Sequence, residues 1–259
     1  MSKPFAGIIV PIVTPFDERE IFDPEALHTL IEFLLSSGVH GIFPIGSVGE
    51  FYALETDEIK QIIQTAVRAV NGRVPVIAGT GAIDTRRSVM LSQFAEEVGA
   101  DAVTILTPFY IQPSEDELYR HYSEILKAVS IPVLGYSNPG RSGGISLTPA
   151  LVRRLSEQFG HFAGMKDSSG NVSLLKDYLR AATPDFAVFT GMDSIIFEAV
   201  INGARGAVAG LANFAPRLAV EVYERSLSGD YEAARVAQAK LERLRATYSL
   251  GTFPAVVKA

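Results

Sequence analysis

The sequence predicts an α/β protein: an eight-stranded (β/α)8 TIM barrel followed by a C-terminal helical extension. Three observations predict it. Short runs rich in branched apolar residues alternate with longer segments of helical period, in strict order. The runs are continuously apolar, the pattern of strands covered by helices on the outside and filled by side chains on the inside. Eight such units fit within residues 1–225, the size expected of a closed barrel.

The first run is Gly7–Val13. A helix begins near Pro24, where Asp23 offers a capping carboxylate and the proline suits the first helical turn. Gly41–Ile45 comes next, with a helix from about Glu55 signalled by Thr56 and Glu58. Val74–Ala78 leads to a helix near Thr85. Ala102–Leu106 leads to one near Ser114, whose spacing to Glu117 is that of a capping box. Pro132–Gly135 precedes the helix at Thr148-Pro149, Phe162–Met165 the one near Val172, and Phe186–Thr190 the one near Ser194. Gly206–Ala209 is the last run, and Pro216 opens its helix. A further helical segment, Tyr231–Tyr248, follows. No linker or low-complexity stretch interrupts the chain, so residues 1–225 read as the barrel and 226–259 as the extension. The competing arrangement, an open doubly wound sheet, needs a glycine-rich phosphate turn after the first strand. This chain has Thr14-Pro15-Phe16-Asp17 there.

Composition narrows the chemistry. The chain has 259 residues with a net charge of −6, which leaves no basic excess for nucleic acid. There are no cysteines, so thiolate nucleophiles, zinc–thiolate sites and disulfides are excluded. The segment Met1-Ser2-Lys3-Pro4-Phe5 carries no apolar leader, and no apolar run reaches the ~18 residues that span a bilayer. A cytoplasmic location is the default expectation. Four histidines are present (His28, His40, His121, His161), and none pairs with a carboxylate at metal-ligand spacing on a strand end. His28 and His121 are expected to face solvent. Neither a metal nor a cofactor is expected.

Barrel enzymes place their sites at the C-terminal ends of the strands. After the second run comes Gly46-Ser47-Val48-Gly49-Glu50, a turn whose backbone N–H groups suit a small carboxylate, though ordinary glycine turns look the same. Thr107-Pro108-Phe109-Tyr110 follows the fourth run and Tyr136-Ser137-Asn138-Pro139-Gly140-Arg141 the fifth. A tyrosine at the mouth serves either as a proton shuttle or as a rim aromatic. Arg141 offers a planar fork for a carboxylate, or a surface salt bridge. After the sixth run comes Lys166, directly behind His161-Phe162-Ala163-Gly164-Met165. Burial disfavours an ammonium, and a neutral amine is a nucleophile. The alternative is a lysine that snorkels outward or pairs with Asp167. Gly191-Met192-Asp193 follows the seventh run. The glycine-rich stretch Gly203–Gly210, with Arg205, raises a rival: a barrel that binds a phosphosugar after strands seven and eight.

Together these segments resemble the dihydrodipicolinate synthase and N-acetylneuraminate lyase family of pyruvate-dependent, Schiff-base class I aldolases. The resemblance runs from about Gly7 to about Pro254. It rests on Pro11 to Phe16, Gly46 to Glu50, Thr107 to Tyr110, Tyr136 to Arg141, Gly164 to Asp167 and Gly206 to Pro216, in that order on successive strands.

The resemblance implies a metal-independent lyase without a cofactor. Lys166 matches the lysine that forms an imine with the keto carbon of pyruvate or another 2-oxo acid, and Tyr136 the tyrosine that moves protons there. Ser47 matches the hydroxyl linking Tyr136 to a second tyrosine. Tyr110 matches that second tyrosine, which in the family enters from a neighbouring subunit, so a homodimer or homotetramer is implied. The Ser47 and Val48 amides would hold the pyruvate carboxylate, and Gly191 and Val208 match pocket-lining positions. Where the family usually has threonine, this chain has Val48. One side-chain donor to that carboxylate is thereby lost, an interaction worth about 1.5–3 kcal/mol. Arg141 matches the arginine that takes the carboxylate of aspartate semialdehyde, which favours its condensation with pyruvate to 4-hydroxy-tetrahydrodipicolinate, a step of lysine biosynthesis. Glu50-Phe51-Tyr52 and Lys166-Asp167-Ser168 look more like 2-keto-3-deoxy-sugar-acid aldolases or N-acetylneuraminate lyases. A barrel that binds a 2-oxo acid without turning it over is a further alternative. The extension is expected to be shorter than is usual for the family, since the chain stops at Ala259.

Overall fold

A computed structural model describes residues 5–258; Met1–Pro4, part of the segment read above as lacking a leader, and Ala259 lie outside the described residues. Eight strands form one parallel sheet: β1 (Gly7–Pro11), β2 (Gly41–Phe43), β3 (Ile77–Gly79), β4 (Ala102–Leu106), β5 (Val133–Ser137), β6 (Phe162–Asp167), β7 (Ala187–Thr190) and β8 (Gly206–Val208). Their order is β2-β1-β8-β7-β6-β5-β4-β3. A single parallel bridge, Ile42 to Val76, joins β2 to the start of β3 and rounds the sheet into a barrel. Two backbone bonds flank it, from Ile42 N to the Pro75 carbonyl and from Gly79 N to the Pro44 carbonyl, each 3.0 Å.

Helices α1 (Pro24–Ser36), α2 (Thr56–Val70), α3 (Thr85–Glu97), α4 (Glu115–Ala128), α5 (Pro149–Gln158), α6 (Val172–Ala181), α7 (Ile196–Ile201) and α8 (Pro216–Ser228) connect the strands and follow the last. Their starts obey local chemistry. The Asp23 carboxylate accepts from the amides of Glu25 and Ala26, and Ser114 with Glu117 closes a capping box. At α2 the box is one residue earlier than Thr56 suggests, between Glu55 and Glu58. On α2, Ile59, Ile62, Ile63, Ala66 and Val70 are buried, a stripe at the helical period that faces the sheet.

Side chains alternate along the strands. Ile8, Val10, Val103, Ile105, Met165 and Val188 pack outward under the helices. Ile9, Phe43, Leu134, Tyr136, Phe189 and Val208 pack in a second cluster inside the barrel. That two-residue period puts Tyr136 on the inner face in register opposite Lys166.

The structure moves several expected boundaries. β5 and β6 extend two residues past the apolar runs, so Tyr136 and Lys166 lie within strands rather than after them. Polar side chains there escaped the apolar signal, yet their backbones still pair. β3 starts late, because Pro75 lacks an N–H and the Val76 amide bonds to the Asp101 carboxylate at 2.8 Å. A short 3-10 turn, Asp193–Ile195, precedes α7 where a helix was expected from Ser194. The segment expected as one helix over Tyr231–Tyr248 is α9 (Tyr231–Leu244) followed by a 3-10 turn, Arg245–Leu250. α8 runs to Ser228, so its last turn spans the 225/226 boundary.

His121 is a correction: it does not face solvent but is buried. Leu118, His121, Tyr122 and Ile125 form the inward stripe of α4, and the ring nitrogen Nδ1 meets the Thr85 hydroxyl at 2.9 Å. Burial pushes this imidazole down to about 4. His28 is exposed, as expected.

Candidate active site

The mouth at the C-terminal ends of the strands holds a cavity of about 300 Å³. Its floor is built by β5 and β6. Lys166 is 6% exposed, with Nζ 4.0 Å from the centre of the Tyr136 ring and 5.1 Å from that of Phe43. The amine therefore sits among aromatic faces instead of snorkelling. It does not pair with Asp167, whose carboxylate accepts from the Ser169 amide at 3.0 Å and its hydroxyl at 2.9 Å.

Gly191, at the end of β7, makes room for this lysine. A Cβ there would lie 2.9 Å from Lys166 Cε and 2.0 Å from Ser168 Oγ. Only glycine lets the lysine stem pass beside the backbone.

The Tyr136 hydroxyl lies 3.4 Å from Ser47 Oγ and accepts from Asn138 Nδ2 at 3.0 Å. Burial alone would raise its pKa. The Lys166 charge and the hydrogen bonds of Ser47, Asn138 and Lys166 outweigh burial and hold the phenol below the usual tyrosine range. A phenol eased toward its anion, beside an amine, is suited to accepting and returning protons.

Ser47 reaches this point because the chain turns sharply after β2. Ile45 adopts φ 62°, a left-handed conformation rare for a β-branched residue. Glu50, at φ 57°, closes the turn. Lys258 pairs with Glu50, and its amine lies 4.3 Å from the centre of the Phe16 ring, so the end of the chain is tied to this loop.

Seven sequence-predicted residues line the one cavity: Lys166, Tyr136, Ser47, Val48, Arg141, Gly191 and Val208. Tyr110 does not. It is 94% exposed, at φ 73°, and lies outside the cavity lining. Arg205 precedes β8, at the opposite end of the strand from the mouth, which removes the phosphosugar reading of that stretch.

Sequence reasoning passed over Asn138, Ser168, Asp193, Arg245, Tyr248 and Phe253, all of which line the cavity. The position of Asp193 just after β7 was the available signal. Its carboxylate accepts from the Leu211 amide at 3.1 Å. Burial pushes the Asp193 carboxyl up to about 6, against the pull of that amide and of the Lys166 and Arg245 charges.

A native value above the ordinary 3.8 means the folded state binds more protons between pH 3.8 and about 6. Stability then falls as pH rises through that window, by roughly 2–3 kcal/mol in all. Asp193→Asn keeps an oxygen for the Leu211 amide and removes the charge. Urea unfolding at pH 7 is expected to show a gain of about 2 kcal/mol and a flatter pH profile below 6. An unchanged profile would assign the dependence elsewhere.

Comparison with known proteins fits this geometry. Residues 4–259 match the model of the dihydrodipicolinate synthetase family. A 4-hydroxy-tetrahydrodipicolinate synthase of Methanopyrus kandleri is 37% identical over 260 residues, covering 100% of this chain and 86% of that protein. A prophage protein of the dihydrodipicolinic acid synthase family from E. coli K12, solved in complex with pyruvate, superposes with a TM-score of 0.93 at 34% identity, covering 97% of this chain and 85% of that one. A solved structure described as the first monomeric dihydrodipicolinate synthase variant superposes with a TM-score of 0.91 at 29% identity, covering 96% and 84%. With the family model matched almost end to end and full-length relatives well above 30% identity, this chain belongs to the dihydrodipicolinate synthetase family.

Proposed function

We propose that the protein is a cytoplasmic class I lyase that condenses pyruvate with aspartate semialdehyde to 4-hydroxy-tetrahydrodipicolinate. The observation that carries this reading is the buried Lys166 amine beside the Tyr136 ring and hydroxyl in a cavity that Arg141 also lines. The name of the Methanopyrus relative supports the reaction, and the pyruvate complex of the E. coli relative supports the first substrate.

Lys166 Nζ attacks C2 of pyruvate, and the keto oxygen leaves as water to give a protonated imine. The imine draws electrons from C3, so no metal is needed to stabilise the carbanion. Tyr136 takes a C3 proton, and the resulting enamine attacks the aldehyde carbon, whose oxygen is protonated to a hydroxyl. The amino group of the acceptor then displaces Lys166 from C2, closing the ring and freeing the amine. The Ser47 and Val48 amides hold the pyruvate carboxylate, with Gly191 and Val208 shaping the pocket. Val48 contributes no hydroxyl, so this carboxylate relies on the backbone.

Borohydride added with pyruvate is expected to leave a stable pyruvyl mass on Lys166, read by peptide mass spectrometry. No adduct would overturn the imine. An adduct without turnover of any aldehyde would instead leave a 2-oxo-acid-binding barrel. A second reading, a 2-keto-3-deoxy-sugar-acid or N-acetylneuraminate-type aldolase, is favoured by Ser168, Asp193 and Tyr248, which give the cavity a wall suited to hydroxyls. A panel of aldehyde acceptors separates the two.

Tyr110 is assigned to the site of a neighbouring copy in a homodimer or homotetramer. Its exposure, with Tyr52, Ile83 and Ile111 also exposed, supports an unpartnered apolar face. Tyr110→Phe and Lys166→Ala are each expected to be impaired alone. Mixed and reassembled, they should regain activity, because some sites then combine an intact Lys166 with a partner's intact Tyr110. No recovery in a verified mixed oligomer would keep Tyr110 out of the neighbouring site.

A further inference from the structure

The cavity has two ends. Lys166, Tyr136, Ser47 and Val48 form one; Arg141, Arg245, Tyr248 and Phe253 contribute another wall. Three of these four come from the segment after α9. Arg141 sits on a firm turn: its amide donates to the Asn138 carbonyl at 2.9 Å, and the neighbouring Ser142 is buried and accepts from the Thr107 hydroxyl at 3.1 Å. Its side chain is exposed. Among the described residues no carboxylate pairs with it and no protein acceptor takes its N–H groups. What does touch the guanidinium is the Phe253 ring, 4.6 Å from its centre. A guanidinium laid on an aromatic face keeps its edge, and so its N–H donors, free for a ligand. Arg245, on the turn after α9, forms no ion pair within 4.0 Å among the described residues, though its charge acts on the buried Asp193 carboxyl, and it lines the same cavity.

We propose that the segment from Arg245 to Phe253 builds the anion site for the acceptor: Phe253 holds the Arg141 fork, and Arg245 adds a second guanidinium. This rests on the reading in which Lys166 activates pyruvate and Arg141 meets the acceptor carboxylate. Phe253 acts through Arg141 and is a positioning residue. Arg245 meets the anion itself and sets specificity.

The test is the ratio of KM for aspartate semialdehyde to KM for pyruvate, measured in the full chain. Phe253→Ala is expected to raise the ratio about two- to fivefold, the size of an exposed cation–π contact, and Phe253→Tyr to restore it. Arg245→Ala is expected to raise it about threefold, less at high salt. Arg141→Ala sets the ceiling, about tenfold or more. If Arg141→Ala raises the ratio while Phe253→Ala and Arg245→Ala do not, this inference fails and the role of Arg141 stands. If Arg141→Ala leaves the ratio unchanged, the reading beneath it fails. Equal rises in both KM values for Phe253→Ala would mean general packing and would also overturn the proposal. Should Phe253→Ala not fold, Phe253→Leu removes the ring while keeping an apolar side chain, with the same outcomes.

Discussion

Lys166→Ala is expected to abolish turnover and the borohydride-trapped pyruvate adduct together. Among the described residues no other lysine lines the cavity, so none of them offers a second amine to form the imine. Without the covalent link, pyruvate must lose a C3 proton with no electron sink, and the acceptor must find it by diffusion. The advantage of a tethered, oriented reactant reaches effective molarities on the order of 10⁵ M and above, so activity should fall by a comparable factor. Truncation also leaves space between the Tyr136 and Phe43 rings. Lys166→Met, which keeps most of the stem volume, therefore serves as the control for folding by circular dichroism. Retained turnover in either variant would remove Lys166 from the chemistry.

Tyr136→Phe should have the next largest effect. The ring stays, so the packing against Phe43 and Lys166 stays with it. Only the hydroxyl is lost, and with it the acceptor for Asn138 and the contact to Ser47. Removing a positioned acid–base group typically costs 10²–10⁴-fold, and kcat is expected to fall in about that range. Loss of hydrogen exchange at pyruvate C3, followed by NMR in deuterated water, checks the step directly. A variant that exchanges as fast as the parent would move proton transfer to another group.

Much of this was legible in the chain. The alternation of apolar runs and helical segments specifies the barrel, and the position of Lys166, Tyr136 and Ser47 at the C-terminal ends of their runs marks them as site residues. Local chemistry sufficed there, because each residue ends or extends a strand. Asp193, Arg245, Tyr248 and Phe253 were missed for a different reason. They reach the cavity through a 3-10 turn, a tail folded back across the mouth and an ion pair between Lys258 and Glu50, none of which leaves a periodic trace. His121 was misread although its signal was present: its spacing from Leu118 and Ile125 already placed it on the inner stripe of α4. The ends of β5 and β6 escape an apolar reading because Ser137, Lys166 and Asp167 are polar yet buried, and pairing depends on the backbone.

The joint between β2 and β3 has a consequence of its own. Seven neighbouring strand pairs are laced by ladders, while this one holds by a single bridge and its two flanking bonds. A cylinder parts where it is least stitched. Brief local openings should therefore begin at this joint and spread first into the turn that carries Ser47 and Val48. The floor that holds Lys166 and Tyr136, in register on paired strands, would stay shut. Such openings would loosen the turn of Ser47 and Val48 while the paired strands keep the Lys166 amine beside Tyr136.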